Sequence, residues 1–307
     1  MTAQGNNTFF LKFLLPSCPP FGEGSFSFRW WRLLLFLQLL TTMVQSLSNQ
    51  NNAIRRRRYI LARHGETDFN QQGREQGTCD NSVLTLDGIR QAQALGPYLQ
   101  SRREQGNSDS PPIDRVWCSP LKRCRQTYEQ ILLAQEPQQS DDKIFLPQQP
   151  TIHDGLREIE LCEWQGRLTQ EIKETDSKNW NTFVNDPAAL RLGGGSFAPV
   201  LDLWQRAAMN WNTIRQDAAQ QNSKAIFILC HGGTGQAMML QALHEDISIF
   251  RRCPDYAFDN CGCFEIEWND GDDFASRWRR IHPEQTEWKP RGSQQEQNLL
   301  DKATGSF

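Results

Sequence analysis

The sequence predicts an α/β fold, a three-layer α/β/α sandwich with a mostly parallel central sheet. Three observations carry this. Runs of β-branched and aromatic residues alternate with stretches whose apolar residues recur at helical spacing, the pattern of a parallel sheet covered on both faces. The chemically distinctive segments occupy one continuous stretch of the 307-residue chain, so a single catalytic domain with extensions accounts for them better than two small ones. The strong strand candidates also end on residues suited to chemistry, as expected where ligands bind beyond the carboxyl ends of strands.

In chain order, the first strand is expected at Arg58–Ala62 and ends on Arg63-His64-Gly65. A helix follows with Leu86, Ile89, Ala92, Leu95 and Leu99 on one face and Thr85 as its N-cap. Arg115–Cys118 reads as a strand and Leu121–Leu133 as a helix. A long helix carries Val200, Leu203, Trp204, Ala207, Trp211 and Ile214 on one face. Ala225–Cys230 is a strand, Gly235–Leu243 a helix and Gly262–Trp268 a strand, with a weaker strand at Phe274–Ile281.

The expected domain spans residues 58–283, between an extension over 1–57 and a polar tail over 284–307. In the extension, Arg29-Trp30-Trp31-Arg32 precedes the apolar run Leu33–Val44. That resembles a signal-peptide core or an organelle presequence, too short to span a bilayer comfortably; a disordered extension is the alternative. A plastid is the favoured destination, with the secretory pathway or cytoplasm as alternatives. Arg55–Arg58 reads as a solvated lead-in to the first strand. The net charge of −3 gives no reason to expect a nucleic-acid or membrane-surface partner, and the domain itself is expected to lie outside the membrane. Nine cysteines lack metal spacing and are expected to be unpaired, those within the motifs acting as small buried hydrophobes.

Five segments follow one another: Leu61-Ala62-Arg63-His64-Gly65-Glu66-Thr67 with Asn70; Gly73-Arg74-Glu75-Gln76-Gly77 before Ser82-Val83-Leu84-Thr85; Ser119-Pro120-Leu121-Lys122-Arg123; Leu156-Arg157-Glu158-Ile159-Glu160-Leu161 before Trp164-Gln165-Gly166; and Cys230-His231-Gly232-Gly233. Across residues 58 to 268 this order resembles the histidine phosphatase superfamily, in its phosphoglycerate-mutase-like branch. Within it, the second, third and fourth segments resemble the plant 2-carboxy-D-arabinitol-1-phosphatase group.

The residues support chemistry of that kind. A neutral imidazole attacks phosphorus without first losing a proton, so His64 is the candidate nucleophile, with its other nitrogen expected to donate to a backbone carbonyl. Arg63 offers a planar fork to phosphate oxygens, and Gly65 is read as giving a sharp turn and room for substrate. The resemblance implies that Arg63, Arg123 and His231 surround the phosphoryl oxygens. It also points to Glu158 as the acid that protonates the leaving oxygen, with Glu160 the competitor that strand alternation would turn to the same side. Asn70, Arg74, Gln76, Gly77 and Gly232 are the candidate substrate contacts; Arg125 reads as a surface residue, and His153, His244 and His282 as structural ones.

No metal and no cofactor is expected, and the partner is a small phosphorylated substrate. The expected function is hydrolysis of a phosphomonoester, a sugar phosphate such as 2-carboxy-D-arabinitol 1-phosphate. A mutase-type phosphotransferase is the alternative, though the insertion of glycolytic mutases is absent. A non-catalytic phospholigand-binding protein is a third reading. Trp180, Phe183, Asp186, Pro187 and the loop Gly193–Phe197 mark a specificity lid, whose aromatic rings either stack on a sugar or close a core.

Overall fold

The computed structural model describes residues 55–104, 111–135, 146–283 and 286–291. The chain divides between Ala53 and Ile54. The apolar run Leu33–Val44 lies outside the described residues, and everything below concerns the part from Ile54 onward.

Seven strands form one sheet: β1 (Arg56–Arg63), β2 (Arg115–Cys118), β3 (Thr151–Ile152), β4 (Ala225–Cys230), β5 (Cys263–Asn269), β6 (Arg277–His282) and β7 (Lys289–Pro290). Their order is β3-β2-β4-β1-β5-β6-β7. The core β3-β2-β4-β1 is parallel, and β5, β6 and β7 extend it antiparallel. Seven helices accompany the sheet among the described residues: α1 (Asp68–Gln71), α2 (Leu86–Glu104), α3 (Lys122–Leu133), α4 (Thr169–Thr175), α5 (Ser177–Asn185), α6 (Pro199–Gln220) and α7 (Gly232–Leu243). None is long and apolar enough to cross a membrane.

Side chains of β1 alternate between two cores. Ile60 and Ala62 pack with Ala92, Leu95 and Leu99 of α2 and Cys124, Tyr128 and Ile131 of α3. Tyr59 and Leu61 pack with Leu203, Ala207, Trp211 and Ile214 of α6 and Met238 and Met239 of α7. Those two faces make the three layers. Each buried Leu or Ile removes enough apolar surface from water to contribute about 1.5–3 kcal/mol. Trp211 also donates its ring N–H to the Met238 carbonyl (2.7 Å), tying α6 to α7.

Thr85 caps α2 as expected, its hydroxyl accepting from the Gly88 amide at 3.0 Å. Leu86, expected on the apolar face, is 73% exposed, because it is the first helical residue and the buried stripe begins at Ala92.

The Arg55–Arg58 tetrad departs from expectation. Arg57 and Arg58 are buried within β1. Arg57 forks onto Asp270 at 2.7 and 2.8 Å, while Arg58 pairs with Glu265 (3.4 Å) and Glu267 (3.2 Å) of β5. The alternating sequence of β5 puts two carboxylates on one face there, and β1 supplies the cations that burial of those charges requires. Lys289–Pro290, inside the expected polar tail, adds a short edge strand, since two residues carry no alternation to read.

Candidate active site

Strands β2, β4 and β1 lie side by side, so their carboxyl ends share one rim. His64 follows β1 and its amide donates to the Cys230 carbonyl (3.1 Å). His231 follows β4 as the N-cap of α7, and Arg123 stands in the first turn of α3 beyond β2. The two imidazoles approach edge to face with centroids 5.2 Å apart.

Arg123, fully buried, organises the centre. Its Nε donates to His64 Nε2 at 3.2 Å and to His231 Nδ1 at 3.1 Å. Its Nη1 and Nη2 donate to the carbonyls of Cys79 and Gly77, each at 2.8 Å. Those bonds define the tautomers. His64 donates Nδ1–H to the Gly65 carbonyl (2.7 Å), so its lone pair is on Nε2, where it accepts from Arg123 Nε. His231 accepts at Nδ1, so its Nε2–H donates to the Ser119 hydroxyl at 2.7 Å. Both imidazoles are held well below the usual histidine pKa, by burial first and then by the Arg123 charge. They are therefore neutral at pH 7.

Arg63 donates through Nη1 to the Phe258 carbonyl (2.9 Å), while its Nε is buried without a hydrogen-bond partner. A buried, unsatisfied guanidinium N–H is costly, and an anion beside it removes the cost. Arg63, His64, Arg123 and Glu158 line one cavity of about 680 Å³.

Glu158 sits at the start of α7. Its Oε2 accepts from the Gly233 amide (3.0 Å), and its Oε1 from the amides of Thr234 (3.0 Å) and Ile159 (2.9 Å) and from the Thr234 hydroxyl (3.2 Å). A Cβ on Gly233 would stand 2.8 Å from Oε1, so the carboxylate's place depends on that glycine. Four donors thus surround the Glu158 carboxylate.

Glu160 turns away from Glu158 and does not line the cavity. It takes the Thr78 hydroxyl, the Cys162 amide (2.8 Å) and the Gln165 side chain (2.8 Å). Residues 157–161 run between two 3-10 turns rather than along a strand, so alternation does not govern them.

Asn70, Arg74, Gln76, Gly77 and Gly232 all line the cavity. The Asn70 carbonyl oxygen is taken by Thr67 and Asn260, and that of Gln76 by Ser82, so each amide has its donor end left for a ligand. Gly65 has a different reason from the one expected. Its φ is not left-handed, and a Cβ there would meet the Gly88 carbonyl oxygen at 2.5 Å, so the space is filled by α2 rather than by substrate.

None of the lid residues lines the cavity: Phe183 is fully buried against Trp164 and Trp180 as part of the core, and Trp180 is partly buried beside it. Arg125 is exposed, and His153, His244 and His282 lie outside the cavity. The eight cysteines among the described residues are all unpaired. No group of three or more His, Cys, Asp or Glu side chains among them is placed to hold a metal ion.

Two roles escaped the sequence. Ser119 was visible as a motif residue, but its bond to His231 was not. Arg206 of α6 donates to the carbonyls of Gly155 (3.0 Å), Arg157 (2.7 Å) and Glu158 (3.1 Å), clasping the segment that carries Glu158. Nothing local in a long amphipathic helix signals such a contact.

A family model described as "Histidine phosphatase superfamily (branch 1)" matches residues 59–281. The chain is 32% identical over 231 residues to an Arabidopsis thaliana protein named "Probable 2-carboxy-D-arabinitol-1-phosphatase", covering 75% of this chain and 42% of that one. It is 30% identical to the 2-carboxy-D-arabinitol-1-phosphatase of Triticum aestivum, covering 69% and 37%. The chain thus spans about two fifths of the length of these relatives. Among solved structures, the alpha-ribazole phosphatase of Shigella flexneri aligns with a TM-score of 0.53 at 25% identity, covering 71% of this chain and 93% of that one.

Proposed function

We infer that this chain, which belongs to branch 1 of the histidine phosphatase superfamily, hydrolyses a phosphomonoester through a phosphohistidine formed on His64. The observation that carries the reading is the neutral His64 imidazole. Its Nδ1 is fixed to its own backbone, and its Nε2 stands among Arg123, His231 and the unsatisfied Nε of Arg63.

In the first step His64 Nε2 attacks phosphorus and the ester P–O bond breaks. The departing alkoxide takes a proton from the Glu158 carboxyl. Arg63, Arg123 and His231, with the Asn70 and Gln76 amides, offset charge on the equatorial oxygens. In the second step Glu158, now a carboxylate, takes a proton from water as its oxygen attacks phosphohistidine, releasing phosphate and restoring Nε2. The names of the Arabidopsis and wheat relatives support a sugar phosphate as substrate, 2-carboxy-D-arabinitol 1-phosphate among the candidates.

Rapid quench with ³²P-labelled substrate should trap acid-labile, alkali-stable label on His64, and His64→Ala should abolish turnover with the fold intact. Label on serine or aspartate would overturn the mechanism. Net phosphate transfer with a bisphosphate primer, without phosphate release, would favour a mutase instead. We include in the proposal that the domain occupies 58–283 and that the preceding extension directs the chain to a chloroplast, read from the apolar run and the plant relatives. A fluorescent fusion of residues 1–60 tests the destination.

A further inference from the structure

The cavity has an outer basic wall that the reaction does not use. Besides Arg63 and Arg123, its lining includes Arg74 from the loop after α1, and Arg251 and Arg252 from the loop after α7. The two catalytic-core arginines are enclosed, whereas Arg251 and Arg252 are exposed on the solvent side. Among the described residues none of the three outer guanidiniums is ion-paired. Arg74 donates Nε to Gln72 (2.7 Å) and Nη1 to the Gly166 carbonyl (2.7 Å), which leaves Nη2 unused. Arg252 makes no side-chain hydrogen bond among the described residues.

Arg251 is docked rather than dangling. Its guanidinium lies 4.4 Å from the Phe183 ring centroid and 6.0 Å from that of Trp180, a cation–π seat on a buried aromatic cluster. Its backbone sits at φ 64, a left-handed conformation costing an arginine about 1–2 kcal/mol, and its amide is held by Gln236 Oε1 at 3.1 Å. The one acid on the lining besides Glu158 is Glu75, whose Oε1 already accepts the Thr169 hydroxyl (2.9 Å). A cavity of about 680 Å³ is far larger than a phosphoryl group and matches a small-molecule site. Five arginines against two acids on the lining, on a chain of net charge −3, make a local field for a second anion.

We propose that Arg74, Arg251 and Arg252 form a second anion subsite, so that the preferred substrate is a phosphomonoester bearing another anionic group, a carboxylate or a second phosphate, at its far end. This rests on the phosphatase reading and narrows it to doubly anionic esters. Two small probes of the same C2 configuration differ only in that group: 3-phospho-D-glycerate carries a carboxylate where sn-glycerol 1-phosphate carries a hydroxymethyl. Calorimetric titration of full-length His64→Ala protein with each measures binding without turnover. The expected result is at least about tenfold tighter binding of 3-phosphoglycerate, an advantage that falls below about threefold when Arg251→Gln and Arg252→Gln are added. Because the ratio is read within each protein, a general loss of binding does not imitate the effect. Equal affinity for both probes, or an advantage that survives the double substitution, overturns the subsite. Turnover of p-nitrophenyl phosphate by the unmodified chain tests the parent reading separately: its absence would sink the phosphatase while the affinity ratio still decides the subsite.

Discussion

One nitrogen, Arg123 Nε, sits between the two imidazoles that the proposed chemistry needs. Its positive charge, together with burial, keeps both rings neutral, and the sign of the pH dependence follows. The unfolded chain takes up protons near the ordinary histidine value of about 6.5, while the folded rings resist them to lower pH. Stability from this source is complete above that value and is lost as the pH falls below it. Urea midpoints should be lower at pH 5.5 than at 7.5, and His64→Gln should narrow the difference. The acid limb of kcat/KM for p-nitrophenyl phosphate should lie below pH 6.5, since His64 remains a free base there; a midpoint at or above 6.5 would contradict the neutral nucleophile. The carboxylate is tested through its leaving group. Glu158→Gln should slow alkyl phosphates by about 10²–10⁴-fold and p-nitrophenyl phosphate far less, because nitrophenolate departs with little protonic help. Arg206, which touches the Glu158 segment only through carbonyls, is a positioning residue. Arg206→Leu should show the same leaving-group bias in milder form, with Arg206→Lys partly restoring it. Equal slowing of both ester classes would assign Arg206 to general stability instead.

At the level of elements, the join between β1 and α2 is a tight place beside His64. A Cβ on Gly88 would lie 2.0 Å from the Glu66 carbonyl oxygen, and one on Gly65 would lie 2.5 Å from that of Gly88. Backbone meets backbone, so neither side can yield. Gly88→Ala should cost about 1–3 kcal/mol in urea unfolding and lower kcat, because α2 must move away from the segment bearing His64. Gly194→Ala meets nothing within 4 Å at φ +68 and should cost only about 1 kcal/mol of strain, with kcat unchanged. The contrast also marks how far the sequence can be read. Runs such as Ala225–Cys230 were legible because a strand buried on both faces is apolar throughout, and His64, Arg123 and His231 because they follow such strands. The two-residue β3 and β7, the short α4 and α5, and the divergent aims of Glu158 and Glu160 were not, since each depends on contacts between segments rather than on a local period. Arg57 and Arg58 illustrate the same limit: a run of arginines looks solvated until Asp270, Glu265 and Glu267 are seen opposite it.

Across the whole molecule, the strand that ends on His64 comes first in its sheet's sequence order and lies in the middle of that sheet, between β4 and β5. Its native neighbours, β4 and β5, are consequently made late. When Arg63 leaves the ribosome, Ala225 is still 162 residues away, and at about 5–20 residues per second the wait for β4 is on the order of 10–30 s. For that interval Tyr59–Ala62 is an apolar ribbon with both hydrogen-bonding edges open, the kind of segment that chaperones cover and that aggregates when they do not. Stalled nascent chains released after residue 220 should remain protease-sensitive and hydrolyse no p-nitrophenyl phosphate. Chains carried past residue 291 should become resistant and active together.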